Sequence, residues 1–108
     1  MTHLISSPYV RCAQTLEPAA TRLGVEIELS DALSEGASLR GALRLVSKHL
    51  DDDVALCSHG DVLGNLLDHY ASQGIELHGD RVEKASIWVL QVKDADVCRA
   101  TYLPPPQV

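Results

Sequence analysis

Hydrophobic and polar residues change their spacing several times along the chain, and each spacing predicts a type of element. Five segments carry the apolar or alternating pattern of β-strands: His3–Ser6, Val25–Leu29, Val54–Cys57, Ser86–Lys93 and Val97–Leu103. The Val54–Cys57 run is uninterrupted, as in an interior parallel strand, whereas Val25–Leu29 alternates as a half-exposed strand does. The last two strands flank Asp94-Ala95-Asp96, which predicts a hairpin.

Helical segments separate the first strands. We expect Ser7 to cap a helix with Pro8 as its first residue, Pro18 to kink or restart that helix, and Gly24 to end it. Two further helices are predicted from apolar residues at helical spacing: Leu39 to Leu50, and Val62 to about Gly74.

The order β-α-β-α-β-α-β-β predicts a three-layer α/β/α domain with a largely parallel sheet. In such sheets functional groups gather at the carboxyl ends of the strands. Two segments carry polar residues directly after the carboxyl end of a predicted strand, one running from Ser6 to Arg11 and the other from Cys57 to His59.

Composition narrows the class of protein. The chain has 108 residues, a net charge of −6 and 45% apolar residues, which suits one globular domain and argues against disorder. The acidic balance argues against a nucleic-acid partner, and no apolar run is long enough to span a membrane. We expect a cytoplasmic protein whose three cysteines are reduced and buried.

Three residues carry candidate chemistry. Arg11 in the first turn of a helix could form an anion site with the N–H groups of that helix start, and the alternative is a solvated surface arginine. His59 follows a buried strand and precedes Gly60, so it either donates to the same anion or is a hydrogen-bonded core histidine. Glu35 is a loop carboxylate that could act as a general acid.

The sequence lacks the motifs of several other catalytic and binding sites. The chain has no G-x-S-x-G elbow, no G-x-x-x-x-G-K-[ST] phosphate loop and no C-x-x-C pair. We therefore expect no cofactor and no metal site.

Four segments together resemble the histidine phosphatase superfamily, which includes the phosphoglycerate mutases. Ser6–Thr15 is similar to its S-S-P-x-x-R-x-x-Q-T segment, Leu33–Gly36 to its L-x-E stretch and Cys57–Gly60 to its S-H-G turn. Lys84–Trp88 resembles the segment that enters the late strands. The order and spacing agree over essentially the whole chain.

The resemblance implies phosphoryl transfer through a phosphohistidine, catalysed by positioning and electrostatic stabilisation. It implies that Arg11 and His59 hold the phosphoryl oxygens together with Ser7, and that Glu35 protonates the leaving oxygen. The ligand implied is a phosphorylated small metabolite or a nucleotide.

One departure from that family is large. The chain contains no R-H-G motif, which carries the nucleophilic histidine and the first arginine at the end of the family's first strand. A strand, loop and helix of about 30 residues would be missing. We therefore expect the chain to be inactive alone, and Val54–Cys57 to have an unpaired edge.

Three explanations of this departure stay open: a fragment of a longer protein, which we favour, a short homologue that has lost catalysis, or a start assigned too late. The neighbour at the unpaired edge would come from a missing N-terminal segment or partner domain, from a second copy in a homo-oligomer, or from a rearranged sheet. We expect residues 1–103 to form the C-terminal portion of the domain, and 104–108 a proline-rich tail.

A second resemblance bears on the source of such a fragment. Ser7–Gln14, Gly24–Ile27 and Leu33–Gly36 are similar to the C-terminal phosphatase-like domain of actinobacterial MutT-type Nudix hydrolases, which sanitise oxidised nucleotides. This resemblance implies an alternative function, a non-catalytic phosphate-binding or interaction module attached to such a hydrolase.

Overall fold

The computed structural model describes residues 3–79 and 86–103. Six strands are described: β1 (His3–Ser6), β2 (Ile27–Leu29), β3 (Val54–Ser58), β4 (Glu76–His78), β5 (Ser86–Lys93) and β6 (Asp96–Leu103). The helices are α1 (Val10–Leu23), α2 (Leu39–Ser47) and α3 (Gly60–Ser72), with a 3₁₀ turn at Asp31–Leu33. The predicted tail, 104–108, and the start of the Lys84–Trp88 segment lie outside the described residues.

The six strands form one mixed sheet in the order β2-β1-β3-β5-β6-β4. Of the five pairings between these strands, β1–β2, β1–β3 and β4–β6 are parallel, and the two that involve β5 are antiparallel. The predicted α/β class and the hairpin of the last two strands are confirmed.

Alternation along β3 explains why helices cover both faces of the sheet. Val54 and Leu56 belong to the cluster that includes the apolar residues of α2 and α3, whereas Ala55 and Cys57 pack with those of α1. All five residues of β3 are buried. This is the expected three-layer arrangement, with an apolar core on each side of the sheet.

Val54–Cys57 does not have an unpaired edge, because its neighbour is a strand of the same chain, as in the rearranged-sheet alternative, and is not supplied by another chain or a missing segment. β1 pairs with one side of β3, and β5 pairs with the other, from Val54 opposite Leu90 to Ser58 opposite Ser86. Both edges of β3 are therefore paired within the sheet, because β5 supplies an antiparallel ladder of backbone hydrogen bonds to β3.

Helix α1 begins later than its sequence predicts. Its N-cap is Tyr9 rather than Ser7, because the Ser7 side chain is engaged elsewhere. The helix continues through the exposed Pro18 without a restart, which leaves a kink as the remaining prediction for this residue. Buried residues before this proline and partly buried residues after it pack α1 against the sheet. Gly24 ends the helix as expected, at φ 68°.

Three smaller differences concern the edges of the sheet. β2 is shorter than its alternating pattern, and β4, which pairs with β6, was not predicted. Asp94 and Ala95 form the hairpin turn with φ values of 55° and 61°, as a two-residue type I′ turn requires. Cys12 and Cys57 are buried, but Cys98 is exposed on β6, so the expectation of three buried cysteines is wrong for that residue.

No helix in residues 3–79 and 86–103 is long and apolar enough to cross a membrane.

Candidate functional site

The candidate site lies where β1 and β3 end. These parallel neighbours pair Ser6 with Cys57, so the residues that follow both strands emerge at the same edge of the sheet. The backbone N–H of Ser7 donates to the carbonyl oxygen of Cys57 at 3.0 Å and ties the two exits together. Ser7 and His59 are buried directly after them.

The side chains of Ser7 and His59 are in direct contact. His59 is 6% exposed, and its Nε2 lies 3.0 Å from the hydroxyl oxygen of Ser7. The same oxygen accepts the backbone N–H of Tyr9 at 3.2 Å. The structure thus brings together two of the predicted site residues, which stand 52 positions apart in sequence.

This contact leaves one nitrogen of the His59 ring without a partner. The Ser7 hydroxyl and His59 Nε2 share one hydrogen, and the tautomer of the ring sets which of them donates it. Where the hydroxyl is the donor, a neutral ring carries its proton on Nδ1. Among the buried side-chain nitrogen and oxygen atoms of the described residues, His59 Nδ1 is the one without a hydrogen-bond partner.

A buried polar atom without a partner costs about 1–3 kcal/mol, and such atoms often mark functional positions. Here the atom lies at the head of α3, where the helix dipole favours negative charge. An anion oxygen is the complementary acceptor when this nitrogen carries a proton.

The loop that carries Glu35 is held against the same edge. The Ser58 hydroxyl donates to the carbonyl oxygen of Leu33, and the backbone N–H of Gly36 donates to Asp61 Oδ2 at 2.8 Å. Glu35 itself is exposed. Its carboxylate makes no hydrogen bond to Ser7 or His59, so the loop is brought to the site without direct contact between these side chains.

Asp61 is a site residue that the sequence patterns did not single out. The backbone N–H of Gly36 holds the pKa of its carboxyl below the usual range, and the N–H of Val62, in the first turn of α3, has the same effect. The negative charge of Asp61 lies close to His59. Its carboxylate also accepts one of the backbone N–H groups at the start of α3, that of Val62. Its partner, Gly36, is 25 residues away, so no local motif reveals the contact.

Arg11 lies in the first turn of α1, as predicted, and is exposed. Its backbone oxygen accepts the hydroxyl of Thr15 at 2.7 Å, while its guanidinium makes no ion pair or hydrogen bond within the described residues. The structure therefore places it on the helix that starts beside Ser7, without a hydrogen bond or ion pair to Ser7, His59 or Glu35.

Tyr9 was also missed by the sequence patterns. Its ring packs edge-on with the ring of His59, with centroids 5.5 Å apart and planes 73° apart. Nothing in the S-S-P-Y sequence distinguishes Tyr9 from an ordinary surface tyrosine.

Two thiols lie beneath the site. Cys12 follows Arg11 and Cys57 precedes Ser58, and both are buried in the α1 side of the core. Burial raises the pKa of the Cys57 thiol well above its ordinary value, and the neighbouring Cys12 adds to this effect. Cys57 is therefore a protonated core residue rather than a nucleophile.

In the part of the chain that the structure describes, no group of three or more histidine, cysteine, aspartate or glutamate side chains is arranged to hold a metal ion.

Comparison with known proteins gives one partial match and no family. No protein-family model matches the chain, so the resemblance to histidine phosphatases stays a prediction. The chain is 32% identical, over 114 residues, to an 8-oxo-(d)GTP phosphatase of Mycolicibacterium smegmatis (strain ATCC 700084 / mc(2)155). That alignment covers 97% of this chain and 34% of the relative, so the chain spans about a third of the length of the protein it matches.

Proposed function

We propose that this chain is the phosphate-binding portion of a histidine phosphatase-type phosphoryl-transfer domain, acting on a phosphorylated nucleotide or small metabolite. The observation that carries the proposal is the buried Nδ1 of His59, which has no hydrogen-bond partner within the described residues and lies where β1 and β3 end. A phosphoryl oxygen supplies an acceptor for this nitrogen when it is protonated.

Each predicted site residue has a role in this proposal. His59 donates from Nδ1 to a phosphoryl oxygen, while Ser7 fixes the orientation of its ring. Arg11, whose guanidinium has no competing partner within the described residues, supplies positive charge at the start of α1. Glu35, on the loop fastened to Asp61, protonates the leaving oxygen.

The nucleophile is the part that this chain does not supply. The sequence has no R-H-G motif, and His59 is already engaged through Nε2. We propose that the nucleophilic histidine is contributed from outside these 108 residues and that the chain alone does not hydrolyse phosphate esters. The relative, three times as long, is named for action on an oxidised guanine nucleotide, which supports a nucleotide as the ligand.

A second candidate function is a non-catalytic phosphate-binding or interaction module attached to a nucleotide-sanitising hydrolase of the Nudix type. It is favoured by the alignment, because the chain corresponds to only 34% of the 8-oxo-(d)GTP phosphatase. The DNA upstream of Met1 distinguishes the two candidates. An in-frame R-H-G motif after an apolar strand in that DNA supports the phosphoryl-transfer domain. Its absence, together with a good ribosome-binding site directly before Met1, supports the non-catalytic module.

The phosphate site is tested by the affinity of the chain for inorganic phosphate, measured by isothermal titration calorimetry. Arg11→Ala should weaken binding about tenfold or more, the usual effect of losing a charged hydrogen bond to an anion. Arg22→Ala, in the last turn of the same helix, is the matched control and should leave the affinity unchanged. Equal affinities for the wild type and Arg11→Ala would remove Arg11 from the site.

A further inference from the structure

We propose that Tyr9 is the platform on which a nucleobase stacks, so that the ligand of this site is a nucleotide rather than a non-aromatic phosphorylated metabolite. This inference rests on the phosphate site of the proposed function. It assigns a specificity-determining role to a residue outside the motif positions discussed above.

The first support is the exposure of the Tyr9 side chain. The chain has four aromatic residues, three tyrosines and one tryptophan. Trp88 and Tyr70 are buried and Tyr102 is half-buried against the core, whereas Tyr9 is 48% exposed. Tyr9 is therefore the aromatic side chain with a face available to a ligand.

The second support is its position beside the unpartnered histidine. The Tyr9 ring lies edge-on to the His59 ring at 5.5 Å, and His59 Nδ1 is the buried nitrogen that has no hydrogen-bond partner within the described residues. A phosphoryl group bound there leaves the remainder of the ligand close to the tyrosine. In a nucleotide, one ribose connects that phosphoryl group to a flat aromatic base.

The third support is the rigid backbone that presents the ring. The N–H of Tyr9 donates to the Ser7 hydroxyl, and its carbonyl oxygen accepts from the N–H groups of Cys12 and Ala13 at 3.0 and 3.2 Å. The residue that orients His59 thus also fixes Tyr9. The backbone of Tyr9 is thus ordered before a base stacks on the ring, so stacking does not have to order it.

Two exposed apolar residues belong to segments that adjoin Tyr9. Val10, the next residue in the chain, is 67% exposed, and Leu29, which is paired with Ser6 at the end of β2, is 56% exposed. Exposed apolar side chains in these segments suit a ligand with one anionic end and one flat apolar end. Stacking on a single aromatic ring raises affinity by about fivefold to a hundredfold.

The test compares three ligands that share a phosphoryl group: inorganic phosphate, ribose 5-phosphate and guanosine 5′-monophosphate. The wild-type chain, titrated by calorimetry, should bind the nucleotide at least about fivefold more tightly than ribose 5-phosphate. Tyr9→Leu should abolish this preference for the nucleotide over ribose 5-phosphate, whereas Tyr9→Phe should retain it. Leu23→Ala, an equally exposed apolar position at the far end of α1, is the control and should leave the preference unchanged.

The outcomes separate this inference from the proposed function. Equal affinities for ribose 5-phosphate and the nucleotide in the wild type, or a preference that survives in Tyr9→Leu, overturn the role of Tyr9 and leave the phosphate site standing. Loss of the preference in Tyr9→Phe as well as Tyr9→Leu assigns it to the hydroxyl and overturns stacking. Failure of the wild type to bind phosphate overturns the proposed function, and the inference with it. Far-UV circular dichroism of each variant verifies that it is folded.

Discussion

At the scale of single residues, the Ser7 side chain contacts a histidine of the candidate site instead of capping the helix that its sequence predicts. A serine followed by proline is a common helix start, yet here the hydroxyl bonds His59 and the N–H of Tyr9 instead. The helix start moves to Tyr9, which makes no side-chain cap. The contact orients His59, because its ring is held through Nε2 while Nδ1 has no hydrogen-bond partner within the described residues.

The three cysteines provide a residue-scale prediction. Iodoacetamide should label one thiol per native chain, at Cys98, because Cys12 and Cys57 are buried and burial raises the pKa of the Cys57 thiol. After unfolding in urea all three should be labelled, as intact mass spectrometry can count. Cys98→Ser is the control and should give no native labelling. Native labelling at Cys12 or Cys57 would show that the core beneath the site is open.

At the scale of elements, the site depends on fastening a loop to a helix. Asp61 in the first turn of α3 accepts the N–H groups of Gly36 and Val62, at 2.8 and 2.9 Å, and so carries the Glu35 loop to the head of the helix. Gly36 has a φ of 82°, a left-handed conformation that a residue with a Cβ adopts only with strain. The contact therefore links a glycine turn to a helix start 25 residues later in the chain.

This contact predicts a pH-dependent effect of Asp61→Ala. At neutral pH the variant should lose about 1 kcal/mol in the free energy of unfolding, as when an oxygen that caps a helix start is removed. Because hydrogen bonds lower the pKa of Asp61 from 3.8, its stabilising effect is complete above that value and is lost as the pH falls through the lower folded-state pKa. The difference between wild type and variant should therefore shrink in acid.

Urea denaturation at pH 7 and at pH 3 measures this difference. Asp68→Ala is the matched control, because Asp68 is exposed on the same helix and makes no side-chain hydrogen bond within the described residues. A loss in Asp61→Ala that is the same at both pH values, or that equals the loss in Asp68→Ala, would contradict the role of the Gly36 contact.

At the scale of the whole molecule, local patterns were enough to predict the class of fold but not how the sheet closes. The apolar run Val54–Cys57 and the hairpin around Asp94 and Ala95 were visible because each depends on side-chain periodicity and turn chemistry. The pairing of β3 with β5 was not visible, since it joins segments about thirty residues apart whose apolar faces fit several neighbours. The unpaired edge inferred from family resemblance was wrong for the same reason.

The candidate site likewise contains residues that sequence patterns selected and residues that they missed. Motif position was enough to select Ser7, Arg11, Glu35 and His59, and the structure brings Ser7 and His59 into contact. Tyr9 and Asp61 escaped notice because their significance comes from contacts made after folding, with the ring of His59 and the N–H of Gly36. Such long-range contacts leave no periodic signal in the sequence.

The most direct test of a phosphate site at the ends of β1 and β3 is the nitrogen NMR spectrum of the histidine rings during a titration with inorganic phosphate. The account predicts that the Nδ1 signal of His59 moves in a saturable manner, together with the backbone amides of Ser7 and Gly60. The ring of His69, near the other end of α3, should not respond. Saturable binding that leaves His59 Nδ1 unchanged, or no binding at all, would contradict it.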